Sequence, residues 1–318
     1  MRKIKIALLS GGWGGEREIS LKTGENIFAS LDRKKYKIFR YDPNANLKKF
    51  INDAINKKFD LVFPALHGPF GEDGRLQGML DLIGVPYIFS GTLASALAMD
   101  KEKTKIIAKG EGLDTAAHVI LKRGEKYSLN RVIKKLSFPI FIKPVELGSS
   151  VGMARAKTKK ELKRGMKNAF KHGNKIILEK FIKGRELTVA ILGHPPGALP
   201  VIEIIPKISE WFDYKAKYKT GGTLEICPAP IPENITKKVQ NFGVKIFKAI
   251  GCKDLARADF IWSNIDRKLY FLEINTIPGM TATSLAPQAA KVAGLNFNQF
   301  LDRLIKGALN NYERRISK

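Results

Sequence analysis

Alternating and apolar runs are followed in turn by stretches with helical spacing along the first hundred residues. Lys3 to Leu9 alternates and then runs apolar, so it reads as a strand. Gly11-Gly12-Trp13-Gly14-Gly15 makes a turn, and Glu16-Arg17-Glu18-Ile19-Ser20 opens a helix to about residue 33. Leu61 to Leu66 reads as a buried strand that ends at His67-Gly68. Arg75 to Ile83 then has helical spacing, and Val85 to Ile88 forms a short strand. This order predicts an open, parallel α/β unit, in which ligands gather past the carboxyl ends of strands. Glu16 and the segment from His67 to Asp73 stand at such ends.

A second unit begins near Met99-Asp100-Lys101 with a helix through Lys109. Strands at 117–121, 139–143 and 176–180 and helices at 128–136 and 158–170 follow. A third unit opens near Arg185 with strands at 187–192 and 199–205. The next stretch, 206–232, is long, polar and irregular, and loops of that length in compact domains commonly act as lids. A helix at 234–249, two strands joined as a hairpin, and helices at 284–293 and 296–310 complete the chain. The pattern predicts a three-domain α/β protein, α+β in part, divided at 1–98, 99–183 and 184–318.

The hairpin carries the densest candidate chemistry. Leu255-Ala256-Arg257-Ala258-Asp259-Phe260 and Phe271-Leu272-Glu273-Ile274-Asn275-Thr276 each set polar residues two apart in an apolar frame. Residues two apart on a strand share a face, so pairing the strands gathers two carboxylates, an amide and a guanidinium. Two carboxylates and an amide oxygen suit a hard cation such as Mg2+. The arginine suits phosphate charge or a developing oxyanion. One Arg-x-Asp pair alone would be an ordinary wet sheet face. Two pairs followed directly by Thr276-Ile277-Pro278-Gly279-Met280-Thr281 point to a phosphate-chemistry site.

Composition narrows the remaining classes. The 318 residues are 44% hydrophobic and 27% charged, as in a soluble globular protein with a substantial core. No apolar run approaches the ~18 to 20 residues that cross a bilayer, and the N-terminal apolar stretch is too short for a signal peptide. A cytoplasmic location is therefore expected. Cys227 and Cys252 lie far apart without metal-ligand spacing, which supports neither a disulfide framework nor a zinc site. Lys and Arg outnumber acids 56 to 30, a net charge of +26. The excess is spread along the chain and dominated by lysine, with no aromatic RNA-binding motif, zinc finger or basic tail. It reads as a lysine-rich surface, so neither a nucleic acid nor a membrane is expected as a partner.

Two common nucleotide-binding motifs are missing from the chain. Position 17 is Arg where a dinucleotide fingerprint needs its third glycine, and no G-x-x-x-x-G-K-[ST] occurs. Any ATP site must therefore lack a P-loop. Lys143-Pro144 leads into Val145-Glu146-Leu147-Gly148-Ser149-Ser150-Val151-Gly152, a lysine at a strand end before a glycine- and serine-rich loop. Backbone N–H groups and hydroxyls there can donate to triphosphate oxygens.

Seven segments in order resemble the D-alanine–D-alanine ligase family of the ATP-grasp superfamily, over nearly the whole chain. They are Gly11-Gly12 with Glu16 to Ser20, His67-Gly68-x-x-Gly71-Glu72-Asp73-Gly74, and Met99-Asp100-Lys101. Lys143-Pro144 with Gly148 to Gly152, Asp213-Tyr214-Lys215-Ala216-Lys217-Tyr218, Arg257-Ala258-Asp259, and Glu273 through Thr281 complete the set. The resemblance implies an ATP-grasp architecture, with ATP held between two antiparallel sheets behind an N-terminal parallel-sheet domain. It also implies an ADP-forming ligase that makes D-alanyl-D-alanine through D-alanyl phosphate, for peptidoglycan precursors.

Roles follow residue by residue from that resemblance. Lys101, Lys143 and Lys217 are expected at the phosphates, Glu179, Phe181 and Ile182 around adenine, and Glu186 at the ribose. Asp259, Glu273 and Asn275 are expected to hold two Mg2+ ions, with Mn2+ able to substitute. Glu16 is expected at the ammonium of the first D-alanine, hydrogen-bonded with Ser149 and Tyr218. Arg257 and the Gly279 N–H are expected at the oxyanion, Ser284 and Leu285 at the second D-alanine, and His67 on the substrate-side loop. The tyrosine at 218 points to the dipeptide rather than a D-lactate ester, and the family is commonly homodimeric. Two alternatives stand beside this reading. One is a related ligase using D-lactate or D-serine, and the other is a basic nucleic-acid-binding protein on an inactive scaffold. The segment from Lys219 to Glu225 and the turn at 194–197 receive no role.

Overall fold

In the computed structural model, residues 2–148, 150–207, 221–281 and 283–316 are described. They form three sheets. The first is parallel, with β1 (Ile4–Leu9) between β2 (Tyr36–Tyr41) and β3 (Leu61–Pro64). It is flanked by α1 (Arg17–Ser30), α2 (Pro43–Ile55) and α3 (Arg75–Ile83). The apolar pattern does not mark β2 and α2, because Lys37 and Arg40 interrupt the strand and Asn44, Asn46, Lys48 and Lys49 the helix. The start of α2 is nonetheless encoded: Asp42 accepts the Asn44 N–H, and Pro43 occupies the first helical turn. The expected strand at 85–88 reduces to a single parallel bridge, Val62 to Tyr87. Pro86 in its middle has no N–H to donate.

Next come α4 (Thr92–Met99) and α5 (Lys101–Gly110), with Asp100 capping α5 by accepting from the Glu102 and Lys103 N–H groups. The smaller antiparallel sheet has the order β5 (His118–Lys122), β8 (Lys175–Lys180), β6 (Ile140–Pro144), β7 (Ala154–Ala156). Two helices cover it, α6 (Leu129–Leu136) and α7 (Lys159–Ala169), through a core that includes Leu136, Ile142, Leu162 and Leu178.

The larger sheet has the order β12 (Thr223–Ile226), β11 (Ile202–Pro206), β9 (Gly184–Leu192), β13 (Leu255–Ser263), β14 (Leu269–Asn275), β4 (Asp114–Thr115), and β10 (Gly197–Ala198) pairs with β9. All its pairings are antiparallel except that of β14 with β4. One face packs against α8 (Glu233–Ile250) and the α4–α5 pair, through Val189, Ile246, Phe260, Phe271 and Ala108. The other shares a core with the first sheet through α9 (Leu285–Val292) and α10 (Phe297–Ile316). The 206–232 stretch is thus less irregular than expected. Thr223–Ile226 is a strand on β11, whose alternating Leu224 and Glu225 the flanking glycines and prolines obscure.

Candidate active site

The hairpin register is Arg257 opposite Asn275 and Asp259 opposite Glu273, which brings the four side chains to one face. The register shifts immediately after Asp259, where Phe260 pairs with Phe271 and Leu272 is left over. A bulge of this kind lets neighbouring residues escape strict alternation. Leu272 and Glu273 accordingly both line the cleft, while Phe271 and Ile274 enter the core.

Asp259 is gripped on two sides. Arg257 donates from Nε at 2.9 Å and Nη2 at 2.8 Å, and the Thr188 hydroxyl on β9 donates at 2.5 Å. Burial disfavours the guanidinium charge, but pairing with Asp259 outweighs it and holds the Arg257 pKa above its usual range. Lys101 Nζ stands 3.5 Å from Glu273 and donates to the Leu147 carbonyl at 2.6 Å. The Asn275 side-chain oxygen accepts the Ile277 N–H at 3.1 Å. No group of three or more His, Cys, Asp or Glu side chains suited to a metal occurs among the described residues. Two carboxylates with an amide oxygen still match the all-oxygen preference of Mg2+, which takes its remaining ligands from phosphates and water.

Across a cavity of about 110 Å3, the opposite wall comes from the smaller sheet and carries Phe141, Lys143, Glu179, Phe181 and Ile182. Asp259 and Glu186 line the side toward the larger sheet. Phe141 and Phe181 stack at 6.4 Å, and Arg155 lies 5.1 Å from the Phe181 ring centre. Glu179 is 3% exposed and pairs with Lys143 at 2.8 Å and Lys105 at 2.7 Å. Burial alone would raise its pKa, but the two ammonium groups hold it far below the carboxylate range. Lys143 shows the converse: burial lowers its pKa, and Glu179 more than restores it.

The loop from His67 to Asp73 meets the hairpin end of the cleft. Glu16 is buried at the start of α1, close against Gly68, where an added Cβ would lie 2.4 Å from its Oε2. The Gly11 and Gly12 N–H groups that could cradle an anion are already taken by Ser20 and Asp42. These two N–H groups are therefore spent within the turn. His67 is fully packed, with Nε2 2.9 Å from the Thr23 hydroxyl, and burial pushes its pKa down to about 4. It is neutral at pH 7 and tied to α1. Glu72 accepts the Gly68 N–H at 2.7 Å, and burial followed by the nearby charge of Glu16 pushes its pKa well up. It shares a small cavity with Lys101, Gly148, Glu273 and Asn275.

At the far end, the Ser284 hydroxyl accepts the Thr281 N–H at 3.0 Å and packs against Gly279, where a Cβ would lie 2.8 Å from it. Leu285 turns its side chain into the core beside Met280 and Ile277, leaving its backbone at the start of α9. Ser149, Lys217 and Tyr218 lie outside the described residues, as does the 213–218 segment. Three residues went unmarked in the sequence. Lys105 looks like one more lysine of the Lys101-Glu-Lys-Thr-Lys105 run, and Glu72 stands within its motif without a role of its own. Glu225 hydrogen-bonds Gln288, which also donates to the Thr283 carbonyl, and the Arg257 charge acts on it.

Residues 107–306 match the family described as D-ala D-ala ligase C-terminus, and residues 40–90 its N-terminus counterpart. A D-alanine–D-alanine ligase of Syntrophobacter fumaroxidans is 44% identical over 97% of this chain and 99% of its own. A Bacillus anthracis D-alanine–D-alanine ligase crystallised with ATP superposes with a TM-score of 0.85 at 32% identity, over 98% of this chain and 99% of that one. The VanG D-Ala:D-Ser ligase of Enterococcus faecalis gives 0.82 at 32% identity, over 96% and 99%.

Proposed function

The chain belongs to the D-alanine–D-alanine ligase family, and from that premise we propose how its residues divide the work of an ATP-dependent ligase. The product is D-alanyl-D-alanine, a peptidoglycan precursor. The observation that carries the reading is the register of Arg257 and Asp259 on Asn275 and Glu273, facing Lys143 across one cleft.

ATP lies with its base by Phe181 and Ile182 and its ribose by Glu186, while Lys101, Lys143 and Lys217 meet the phosphates. Asp259, Glu273 and Asn275 would hold two Mg2+ ions, for which Mn2+ could substitute, and the bound ions would supply positive charge against the phosphates. Glu16, with Ser149 and Tyr218, holds the ammonium of the first D-alanine so that its carboxylate faces the γ-phosphorus. An oxygen–phosphorus bond forms, the bond to the β-phosphate oxygen breaks, and ADP leaves D-alanyl phosphate behind. The second D-alanine has its carboxylate at Ser284 and the Leu285 backbone, where a helix start favours negative charge. Its neutral amine attacks the acyl carbon, so that a carbon–nitrogen bond forms, nitrogen gives up a proton and the carbon–oxygen bond to phosphate breaks. Arg257 and the Gly279 N–H stabilise the oxyanion until phosphate departs. His67, neutral and packed on Thr23, supports the substrate loop.

The unit 1–98 serves as substrate platform and the sheets within 99–183 and 184–318 as two nucleotide-binding jaws, with 206–232 as lid; α5 and β4, although within 99–183, pack with the larger sheet. A cytoplasmic homodimer is the proposed working form. No helix among the described residues is long and apolar enough to cross a membrane. The test couples ADP release to product identification, with Mg-ATP, D-alanine, and D-serine or D-lactate as competitors. D-Ala-D-Ala as the main product supports the reading. Dominant D-alanyl-D-serine would move the chain to the activity named for its VanG relative. No ADP release from folded, ATP-binding protein would overturn both.

A further inference from the structure

Two ammonium groups share the single carboxylate of Glu179, so this cluster holds one positive charge in excess. The two lysines differ in reach. Lys143 ends β6, lines the cleft and keeps 12% of its side chain exposed. Lys105 is 1% exposed and does not line the cleft. Its ammonium stands 2.7 Å from Glu179 Oε1, an ion pair buried on both sides. Lys105 also comes from α5, which packs on the larger sheet, whereas Glu179 and Lys143 belong to the smaller one. A buried ammonium separated from its counter-ion costs several kcal/mol, so Lys105 cannot leave Glu179. Lys143, at the edge of the cleft, can.

We propose that Lys105 is the permanent counter-ion of Glu179, and that it thereby frees Lys143 to turn from Glu179 to a nucleotide phosphate when ATP binds. The proposal rests on reading this cleft as the nucleotide site. With Lys105 present, Glu179 stays compensated after Lys143 moves. Without it, each transfer of Lys143 would strand a buried carboxylate, and Lys143 would stay where it is. Lys105 is thus a positioning residue, acting on phosphate through a lysine it never touches.

The test is Lys105→Met, which keeps a long unbranched side chain and removes the charge. Calorimetric titration of the full-length parent and variant with Mg-ATP and with adenosine separates phosphate grip from base binding. ATP should weaken about tenfold or more, the scale of one charge-assisted contact, while adenosine affinity stays within about twofold on the same grounds. Should Lys105→Met alone fail to fold, Glu179→Gln is compared with the Lys105→Met/Glu179→Gln double variant. With no carboxylate left to compensate, these two should bind ATP alike. Equal weakening of ATP and adenosine, unchanged ATP affinity, or a tenfold gap between the two Gln variants would each overturn the proposal. A parent that binds adenosine but not ATP would instead overturn the nucleotide reading beneath it.

Discussion

Replacing Asp254 by asparagine should change how stability depends on pH, because this carboxyl is buried outside the cleft and, among the described residues, no salt bridge joins it; only the charge of neighbouring Lys253 acts on it. It precedes β13, 5% exposed, and ties two parts of the chain together. Oδ2 accepts the Phe89 N–H at 2.9 Å, and Oδ1 accepts from Asn311 Nδ2 of α10 at 3.1 Å. Burial pushes its pKa from 3.8 to about 7, against the pull of those two donors. The folded state therefore holds the proton more tightly than the unfolded one. Its stabilising contribution is complete below pH 3.8 and is lost as the pH rises through about 7. The full loss is about 4 kcal/mol, of which about 2 kcal/mol falls between pH 5.5 and 8. The substituted amide would not titrate, and its NH2 group would face one of the two donors at a constant cost of about 1–3 kcal/mol. Urea unfolding of parent and Asp254→Asn at both pH values reads the difference directly. The parent's advantage should shrink by about 2 kcal/mol from pH 5.5 to 8. A gap that stays constant or widens would refute the reasoning.

Other substitutions probe the site. Gly68→Ala would set a Cβ 2.4 Å from Glu16 Oε2, at a φ of +78° that itself costs about 1–2 kcal/mol outside glycine. Steady-state kinetics should show a larger rise in KM for the first D-alanine than for ATP. Arg257→Lys keeps the charge but loses the two-pronged grip on Asp259. Its kcat should fall on the order of 100-fold, with ATP affinity, measured by calorimetry, changed far less.

The hairpin was legible because its polar pairs obey the two-residue period and its apolar partners fill the core. Its bulge was not, since nothing about Leu272 itself reports that it leaves the core face. α2 is hard to read although Asp42 and Pro43 announce it, because lysines and asparagines blur its apolar stripe. Lys105 was hidden for a related reason. In a chain with 56 basic residues, one lysine within a charged helix looks solvated, and only packing against Glu179 marks it as buried. His67 shows the opposite bias, for its motif drew notice while its imidazole is spent on Thr23.

The smaller sheet joins the larger at two neighbouring crossings. One runs from β4, paired on β14, through Ala116 and Ala117 to β5; the other leaves β8 through Phe181–Lys183 to β9. The Lys180 N–H donates to the Ala117 carbonyl at 2.9 Å, which staples the two strands of this joint side by side. Two such crossings leave rotation about one line as the cheapest relative motion, so displacement grows with lever arm. Ala116, Phe181 and Ile182 sit at the pivot, whereas Lys143, opposite Ile177, lies four residues, about 13 Å, farther along the sheet. A nucleotide held as proposed, with its base at Phe181 and Ile182 and its phosphates at Lys143, would keep its base seated through every swing, and its grip would loosen first at the phosphates, the end where the chemistry has just finished.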